Sequence, residues 1–410
     1  MNQLESSHLI QRNRYLDEIV SVLHKPIIKV LLGMRRVGKS TLLFQIQEYL
    51  KSTGVKDEQV ISLNFELLEF EGLKNYNALN DYLNSKMTSH DKYYIFLDEV
   101  QEVEGFEKVV NSINAQGKAE LFVTGSNSSL LSGELATYLT GRYYTIEVFP
   151  LSFSEIVAHQ KTQNRPVTDI HSSFIDYLKM GGLPGRFMFT EERTAKNYIY
   201  DLYQSILLKD IVQRYRIRDV DLLQRFMLYL SNNVAQIFSA DTVTKYLRSE
   251  NRKLSRETIY NYIEAAQNAY LIYGVPQYDI RGKALMKTSE KYFIADQGLR
   301  SLFFDNEADI GQVLENIVFL ELKRRGYDLF IGRVGNREID FIAQDGPTTI
   351  YFQVAYLLEA DTTIEREFSP LLDIQDNYPK YVLSMDPVNR SRQGVTHLNI
   401  IDFLLDDSLI

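Results

Sequence analysis

The sequence predicts an α/β fold over its first 155 residues, with polar residues gathered at one edge of a parallel sheet. Short apolar runs at 27–32, 60–65, 93–97 and 120–123 have the length and composition of strands buried on both faces. The segment 42–50 places its apolar residues on one helical face directly after the first run. Each run ends in glycine or in polar residues, and open α/β sheets bind ligands outside the carboxyl ends of their strands.

The first run leads into residues 33–41, which fit the pattern G-x-x-x-x-G-K-[ST] at every fixed position. Gly33 and Gly38 allow the loop to turn its N–H groups toward phosphate. Lys39 supplies a positive charge for the β and γ phosphates, and the Ser40 hydroxyl suits Mg²⁺. The pattern predicts bound ATP and Mg²⁺, held by Gly33, Arg36, Val37, Gly38, Lys39, Ser40 and Thr41.

Two further runs end in residues suited to hydrolysis. Asp98 and Glu99 close the run at 93–97, where Asp98 is expected to hold Mg²⁺ and Glu99 to polarise the attacking water. An acidic strand end is a weak signal alone and a strong one downstream of a phosphate loop. Ser126 and Asn127 follow the run at 120–123 and either sense the γ-phosphate or cap the next helix.

A helical segment is predicted at 130–139, and Arg142 follows it at a glycine turn before a fifth strand. Its guanidinium could reach a γ-phosphate in its own chain or in a neighbouring one. The alternative is a surface arginine favoured by the helix dipole. Before the first strand, a helix is predicted at 9–24. We expect Arg12 and Arg14 on its solvated face, with contact to a nucleotide base or a partner as the alternative.

These features together resemble the AAA-type P-loop ATPases, with Gly141-Arg142-Tyr143 before Pro150-Leu151-Ser152-Phe153 as a further match. The nearest group is the prokaryotic ATPases whose C-terminal half is an uncharacterised conserved region. The resemblance implies ATP hydrolysis and a sheet in which the fourth strand lies between the first and the third. It also implies an arginine-finger role for Arg142 and γ-phosphate sensing by Asn127, with Ser126 as the second match. The implied catalytic residues are Lys39, Glu99, Arg142 and Asn127.

Residues 156–225 are predicted to be mostly helical, either as a lid beside the nucleotide or as a plain connector. A sharp turn at 181–185 interrupts them, and Arg186 after it is a candidate second sensor arginine. Basic and apolar residues alternate toward the end of 207–218. That pattern fits a helix face that meets phosphates or, as the ordinary alternative, a solvated face.

Residues 226–305 predict a winged helix-turn-helix, with helices at 222–236, 240–249 and 256–271 followed by a β-hairpin. Ser255 is the expected N-cap of the third helix, and Leu254 with Ile259 the expected hydrophobic staple. Basic residues in 240–290 predict contact with DNA, and a protein-binding module is the alternative. These residues are Lys245, Arg248, Arg252, Lys253, Arg256, Arg281, Lys283 and Lys287.

Residues 306–410 predict a helix followed by a strand meander, which resembles the α+β restriction-endonuclease-like fold. Glu315 matches the helix acid of that fold and Asp340 its strand acid. Where the fold carries acid-x-lysine, this chain has Gln353-Val354-Ala355, which removes a metal ligand and the water-activating lysine. We expect a degenerate nuclease fold used for binding or assembly, with Glu359 or Glu365 as possible replacements for the lost acid and metal-dependent cleavage as the alternative.

Composition bounds these expectations. The net charge is −9, so any contact with nucleic acid must be local, and the absence of cysteine excludes disulfides and thiolate metal sites. No apolar run could span a bilayer and no signal-peptide pattern is present, so we expect a cytoplasmic protein without membrane contact. An arginine finger acting between chains would require a homo-oligomer. A slow ATP-dependent switch is the alternative to rapid hydrolysis.

Overall fold

The computed structural model describes residues 9–89, 91–131, 141–162, 169–249 and 255–409. They group into two units, the first formed by the described residues of Met1–Val148 with Asn268–Tyr270 and the second by those of Phe149–Gln267 and Leu271–Ile410. Most of the helix predicted at 130–139, together with Arg252, Lys253 and Leu254, lies outside the described residues. None of the helices in the described ranges is both long and apolar enough to cross a bilayer.

The first unit contains a parallel five-stranded sheet in the order β2-β3-β4-β1-β5, which confirms the expected position of the fourth strand between the first and the third. All residues of β1, β3 and β4 are buried, as is usual for central strands between two helical layers. The strands are β1 (Ile28–Leu32), β2 (Val60–Asn64), β3 (Tyr93–Asp98), β4 (Ala119–Gly125) and β5 (Tyr143–Glu147). The helices are α1 (Asn13–Ser21), α2 (Lys39–Ser52), α3 (Tyr76–Lys86) and α4 (Phe106–Gln116).

The register of this sheet brings the predicted site residues to one edge. Leu32 at the end of β1 pairs with Gly125 at the end of β4, and Asn64 at the end of β2 pairs with Asp98 at the end of β3. The residues that follow these strands therefore share the carboxyl edge of the sheet.

The second unit contains a mixed seven-stranded sheet in the order β12-β11-β10-β9-β8-β6-β7. Its strands are β6 (Ile272–Asp279), β7 (Ala284–Ile294), β8 (Asp328–Val334), β9 (Arg337–Asp345), β10 (Thr348–Val354), β11 (Lys380–Ser384) and β12 (Thr396–Asn399). Its helices are α5 (Phe153–Thr162), α6 (Ile170–Met180), α7 (Glu192–Ser205), α8 (Val220–Asn232), α9 (Ala240–Ser249), α10 (Arg256–Asn268), α11 (Gln297–Arg300), α12 (Ile310–Arg324), α13 (Asp361–Leu372) and α14 (Ile400–Leu405). Ile206–Gln213 forms a π-helix directly after α7.

The predicted wing hairpin forms, but it is not the free wing of a separate domain. β6 and β7 pair antiparallel, and β6 also pairs in parallel with β8, with Tyr278 opposite Gly332. The open edge of β6 needs partners for its backbone groups, and β8 supplies them. Residues 226–305 and 306–410, which we predicted as two domains, therefore share one sheet.

The three helices before this hairpin form at α8, α9 and α10. Ser255 acts as predicted at the start of α10, since its hydroxyl accepts the backbone N–H of Thr258 at 3.1 Å. Earlier in the unit, Arg186 is buried, and its guanidinium donates to the carbonyl of Gly181 and to the carboxylate of Asp176, both at 2.8 Å. The sensor role expected for Arg186 remains a prediction. Two nitrogen atoms of its guanidinium, Nε and Nη2, donate to groups of the second unit.

Candidate nucleotide site and the acid–lysine cluster

The loop after β1 is shaped by two glycines. Gly33 has φ of 148°, and a Cβ there would lie 2.2 Å from the carbonyl oxygen of Val148, so no other residue fits without moving the backbone. Gly38 has φ of 100° and stands at the start of α2. The first N–H groups of a helix have no carbonyl partners within it. The N-terminal end of α2 therefore offers free backbone N–H groups at the carboxyl edge of the sheet. Such groups bind anions, and phosphate is one of them.

Lys39 is 3% exposed and lies inside this loop. Its Nζ donates to the carbonyls of Gly33 at 2.9 Å and Met34 at 3.1 Å, and it lies 3.6 Å from Oε1 of Glu99. Burial lowers the pKa of Lys39, while the carboxylates of Glu99 and Asp98 act against that shift. Lys39 thus already contacts the glutamate that was predicted to act on water.

Asp98 is held by three neighbouring side chains. Its Oδ1 accepts the Thr124 hydroxyl at 2.6 Å, its Oδ2 accepts the Asn64 amide at 3.1 Å, and the Ser40 hydroxyl is also hydrogen bonded to it. Burial raises the pKa of Asp98, and the hydroxyl groups of Ser40 and Thr124 oppose that rise. A hydroxyl beside a carboxylate is a suitable pair for Mg²⁺, which commonly takes one or two protein oxygens and completes its shell with phosphate and water. This donor set fits the ion predicted here.

Within the described residues, no group of three or more histidine, aspartate or glutamate side chains is arranged to hold a metal ion.

Glu99 has an unusual backbone. Its φ is 54°, in the left-handed region that costs a non-glycine residue about 1–2 kcal/mol. Its N–H donates to the Thr124 hydroxyl at 2.8 Å, and Gln101 donates its amide to Oε2 at 2.5 Å. Burial would raise the pKa of Glu99, but Lys39 and Gln101 more than offset this and leave it below its usual value. Glu99 is thus kept ionised and fixed in direction.

Ser126 and Asn127 are both buried at the end of β4, each 1% exposed. The Ser126 hydroxyl is hydrogen bonded to Glu99, and Gln101 donates its amide to it at 3.5 Å. Ser126, the second candidate for the γ-phosphate sensor, therefore lies beside Glu99, which the sequence predicted to act on water. Phosphate sensing by Asn127 remains a prediction.

Arg142 is exposed and lies at the other edge of the sheet. It precedes Tyr143, which pairs with Ile28 at the amino end of β1, and its carbonyl accepts the N–H of Ile28 at 2.9 Å. The phosphate loop follows the carboxyl end of β1, five residues and roughly 16 Å away at about 3.3 Å per residue. This placement argues against contact with the phosphate of its own chain. Action on a neighbouring chain and an ordinary surface arginine both remain predictions.

Sequence reasoning assigned Arg12 wrongly. It is 3% exposed rather than solvated, and its Nη1 donates to the carbonyl of Val37 in the phosphate loop at 3.1 Å. Its backbone N–H donates to Gln45 of α2, and its guanidinium lies 4.6 Å from the ring centre of Tyr15. Arg12 therefore stabilises the phosphate loop through a hydrogen bond to its backbone. No pattern in the sequence identifies it, because arginine is most often exposed.

The second unit brings Glu315 and Asp340 together, as the nuclease-like resemblance implied, but around a lysine that the sequence analysis missed. Lys291 of β7 is 3% exposed, and its Nζ lies 2.7 Å from Glu315, 2.5 Å from Glu338 and 3.9 Å from Asp340. Burial would lower the pKa of Lys291, but the carboxylates of Glu315, Asp340 and Glu338 outweigh it and raise that pKa. We call these four residues the acid–lysine cluster.

Glu367, which the sequence analysis did not name, lies beside position 353, where the acid is missing, while replacement by Glu359 or Glu365 remains a prediction. Gln353 donates its amide to Oε2 of Glu367 at 3.0 Å, and Glu367 is 5% exposed on α13. The next backbone N–H, that of Val354, donates to Oδ2 of Asp340 at 2.7 Å. Glu367 was missed because the sequence does not show which acid of the following segment folds back onto Gln353.

Comparison with known proteins agrees with the geometry of the first unit. A family model described as an AAA domain matches residues 25–157, and a model of a domain of unknown function matches residues 171–309. An uncharacterized protein of Haemophilus influenzae is 38% identical over 406 residues, covering 98% of this chain and 100% of that protein. Residues 25–157 therefore carry an AAA domain of the P-loop ATPase type, and the whole chain belongs to one family with the Haemophilus influenzae protein.

Two further similarities extend this result. An uncharacterized protein of Methanocaldococcus jannaschii is 34% identical to this chain over 352 residues, covering 83% of this chain and 77% of that protein. The solved Walker-type ATPase of Pyrococcus abyssi has a TM-score of 0.51 and 15% identity, covering 72% of this chain and 96% of that one. At that identity the structural match establishes the fold alone.

Proposed function

We propose that this AAA-type protein binds ATP with Mg²⁺ and hydrolyses it at the carboxyl edge of the five-stranded sheet. The observation that supports the proposal best is Glu99, an ionised, oriented carboxylate beside Lys39 and Asp98. Phosphate release from ATP and Mg²⁺ by the purified chain tests it. Release no faster than that of a Lys39→Ala variant would contradict it.

Each residue has a distinct part in this proposal. The loop N–H groups and Lys39 bind the β and γ phosphates, and Ser40 with Asp98 holds the ion. Bound Mg²⁺ would supply positive charge to the phosphate oxygens. Glu99 accepts a hydrogen bond from the attacking water and polarises it for in-line attack. Because Lys39 contacts Glu99, moving Lys39 onto phosphate releases the carboxylate, so that binding prepares the base.

We propose that Arg142 completes the site of a neighbouring subunit. Arg142→Ala should lower hydrolysis by about 10³-fold or more, the effect typical of a lost arginine finger. Lys39→Ala should be inactive too, and a mixture of the two variants should recover part of the activity, because an intact loop then meets an intact Arg142. Phosphate release from each variant and from the mixture is the measurement.

Lys118→Ala, which removes another exposed cation of the first unit, is the matched control and should keep wild-type activity. A mixture that stays inactive would argue against action between subunits, as would a monomer by light scattering with ATP present.

Arg12 is proposed as a positioning residue for the phosphate loop. Arg12→Met keeps the apolar stem but removes the donor to Val37, so ATP affinity should fall about tenfold, equivalent to about 1.4 kcal/mol. Calorimetric titration with a non-hydrolysable ATP analogue would measure this. Arg14→Met, on a half-buried neighbour, should change affinity less than twofold. If Arg12→Met and Arg14→Met lowered ATP affinity equally, Arg12 would have no specific role in positioning the loop.

For the second unit we propose a degenerate nuclease-like fold that responds to nucleotide state and binds rather than cuts. The acid–lysine cluster supports this, because an internal ammonium group stands among the acids that would otherwise hold a metal. Cutting of DNA with Mg²⁺ or Mn²⁺ that Asp340→Ala abolished would contradict it. The lid role of 156–225 and the DNA contact through 240–290 remain predictions. Arg256 in the latter segment already pairs with Asp241 at 2.6 Å.

A further inference from the structure

A run of four cations follows α7 in the second unit. The run comprises Lys209, Arg214, Arg216 and Arg218, and all four side chains are exposed. Within the described part of the chain, none of them has an ion-pair or hydrogen-bond partner. We call this run the 209–218 surface.

Several other cations at the surface of the same unit are paired. Arg225 contacts Asp221 at 3.1 Å, and Lys196 contacts Glu192 at 2.7 Å. The chain has 54 acidic and 45 basic residues, so an acid is available to most cations. Four unpaired cations within ten residues therefore leave an electropositive surface on an acidic protein, which is what a polyanion would meet.

The two acids inside or beside the run do not neutralise it. Asp210 is buried at 3% exposure, so its carboxylate does not share the solvent-facing side of the run. Asp219 caps α8, where its Oδ1 accepts the N–H of Leu222 at 3.0 Å. Both carboxylates are thus committed elsewhere.

The backbone places the cations together. Lys209 lies in the π-helix Ile206–Gln213, and Arg214 follows it by five residues, which is one hydrogen-bonding repeat of a π-helix. Their side chains therefore leave the same face. The helix closes where the N–H of Ile217 donates to the carbonyl of Val212 at 3.0 Å.

Arg216 stands at the position of this closure where glycine is usual. Its φ is 52°, and a non-glycine residue in that conformation costs about 1–2 kcal/mol. A strained residue of this kind is a reason to look for function at the position. Cations at a helix carboxyl end also complement its dipole, but that effect is confined to the last turn, and Lys209 and Arg218 fall outside it.

We propose that the 209–218 surface binds the phosphate backbone of double-stranded DNA. Three of the four cations are arginine, whose planar fork matches phosphate geometry. Each of the four exposed cations can meet one phosphate. Phosphate contacts of this kind fix position without selecting sequence. The inference goes beyond ATP hydrolysis and does not rest on it, and binding is therefore measured without nucleotide.

The salt dependence of DNA binding by the full-length chain tests the proposal. A labelled 20-bp duplex is titrated by fluorescence anisotropy at several KCl concentrations. Four phosphate contacts predict a slope of log K against log [salt] of about −3.6, and the double variant Arg214→Gln/Arg216→Gly should reduce it to about −1.8. Glycine relieves the strained backbone, so Arg216→Gly alone should melt no lower than the wild type while it weakens binding.

One control and one further variant locate the surface. Arg225→Gln removes a half-buried arginine that is paired with Asp221 and should leave the slope unchanged. Arg256→Gln tests instead the DNA contact predicted for 240–290. A wild-type chain without salt-dependent DNA binding would overturn the proposal, and so would a double variant with the wild-type slope. Loss of slope in Arg256→Gln, with the wild-type slope kept in the double variant, would place the contact on α10 and overturn the proposal. Binding to phosphatidylserine vesicles but not to DNA would also overturn it.

Discussion

Replacing Glu99 by Gln should lower ATP hydrolysis by roughly 10²- to 10⁴-fold, the contribution usual for a positioned general base. The amide keeps the size of the side chain and can still meet Gln101 and Ser126, but it cannot accept a proton from water. The low pKa of Glu99 means that the wild-type carboxylate is ready to act at neutral pH. Single-turnover hydrolysis of radiolabelled ATP would measure the change.

ATP affinity separates this effect from simple loss of binding. Glu99→Gln should bind ATP at least as tightly as the wild type, because the neutral amide competes less with phosphate for Lys39. Lys39→Ala should lose binding. The exposed neighbour Glu102 provides the control, since Glu102→Gln should keep full activity. Normal turnover by Glu99→Gln would show that another group activates the water.

Lys291→Met should destabilise the protein by about 3–5 kcal/mol, the usual result of breaking a buried ion cluster from one side. The substitution leaves the carboxylates of Glu315, Glu338 and Asp340 beside one another without a cation. In a unit of this size the melting temperature should fall by about 10 °C. Thermal unfolding followed by circular dichroism would measure it.

A double variant shows whether charge causes the loss. Lys291→Met/Glu315→Gln should recover part of the stability, because one of the crowded carboxylates is then neutral. Lys283→Met, at an exposed cation of the β6–β7 turn, should melt within about 2 °C of the wild type, as surface substitutions usually do. If Lys291→Met were as stable as the wild type, the ammonium group would not be what holds the acids together.

The fold of the first unit could be predicted because its signals are local. A parallel strand buried on both faces needs a continuous apolar run, and β1, β3 and β4 each have one. The phosphate loop is recognisable because glycine, lysine and serine must stand at fixed spacing for the backbone to surround phosphate. Asp98 and Glu99 were found because the end of a strand determines where the next side chains lie.

Other parts of the site could not be predicted because they depend on contacts between distant segments. Arg12 meets Val37 across 25 residues, and Glu367 meets Gln353 from a later helix. Lys291 lies in the predicted β-hairpin, and its role became visible only when β6 paired with β8 and the hairpin joined the seven-stranded sheet.

By itself, the sequence determined that this protein has a phosphate-binding loop at the carboxyl edge of a parallel sheet, with an acid pair on an adjoining strand. Backbone conformation and strand burial follow from neighbouring residues, so the printed order of amino acids is enough. Only the tertiary structure decided which charges are buried and what they meet: Arg12 beneath the loop, Lys291 among its acids, and Arg142 at the far edge of its own sheet. A charged side chain can enter the interior only where partners converge on it, and that convergence is set by packing between segments far apart in the chain.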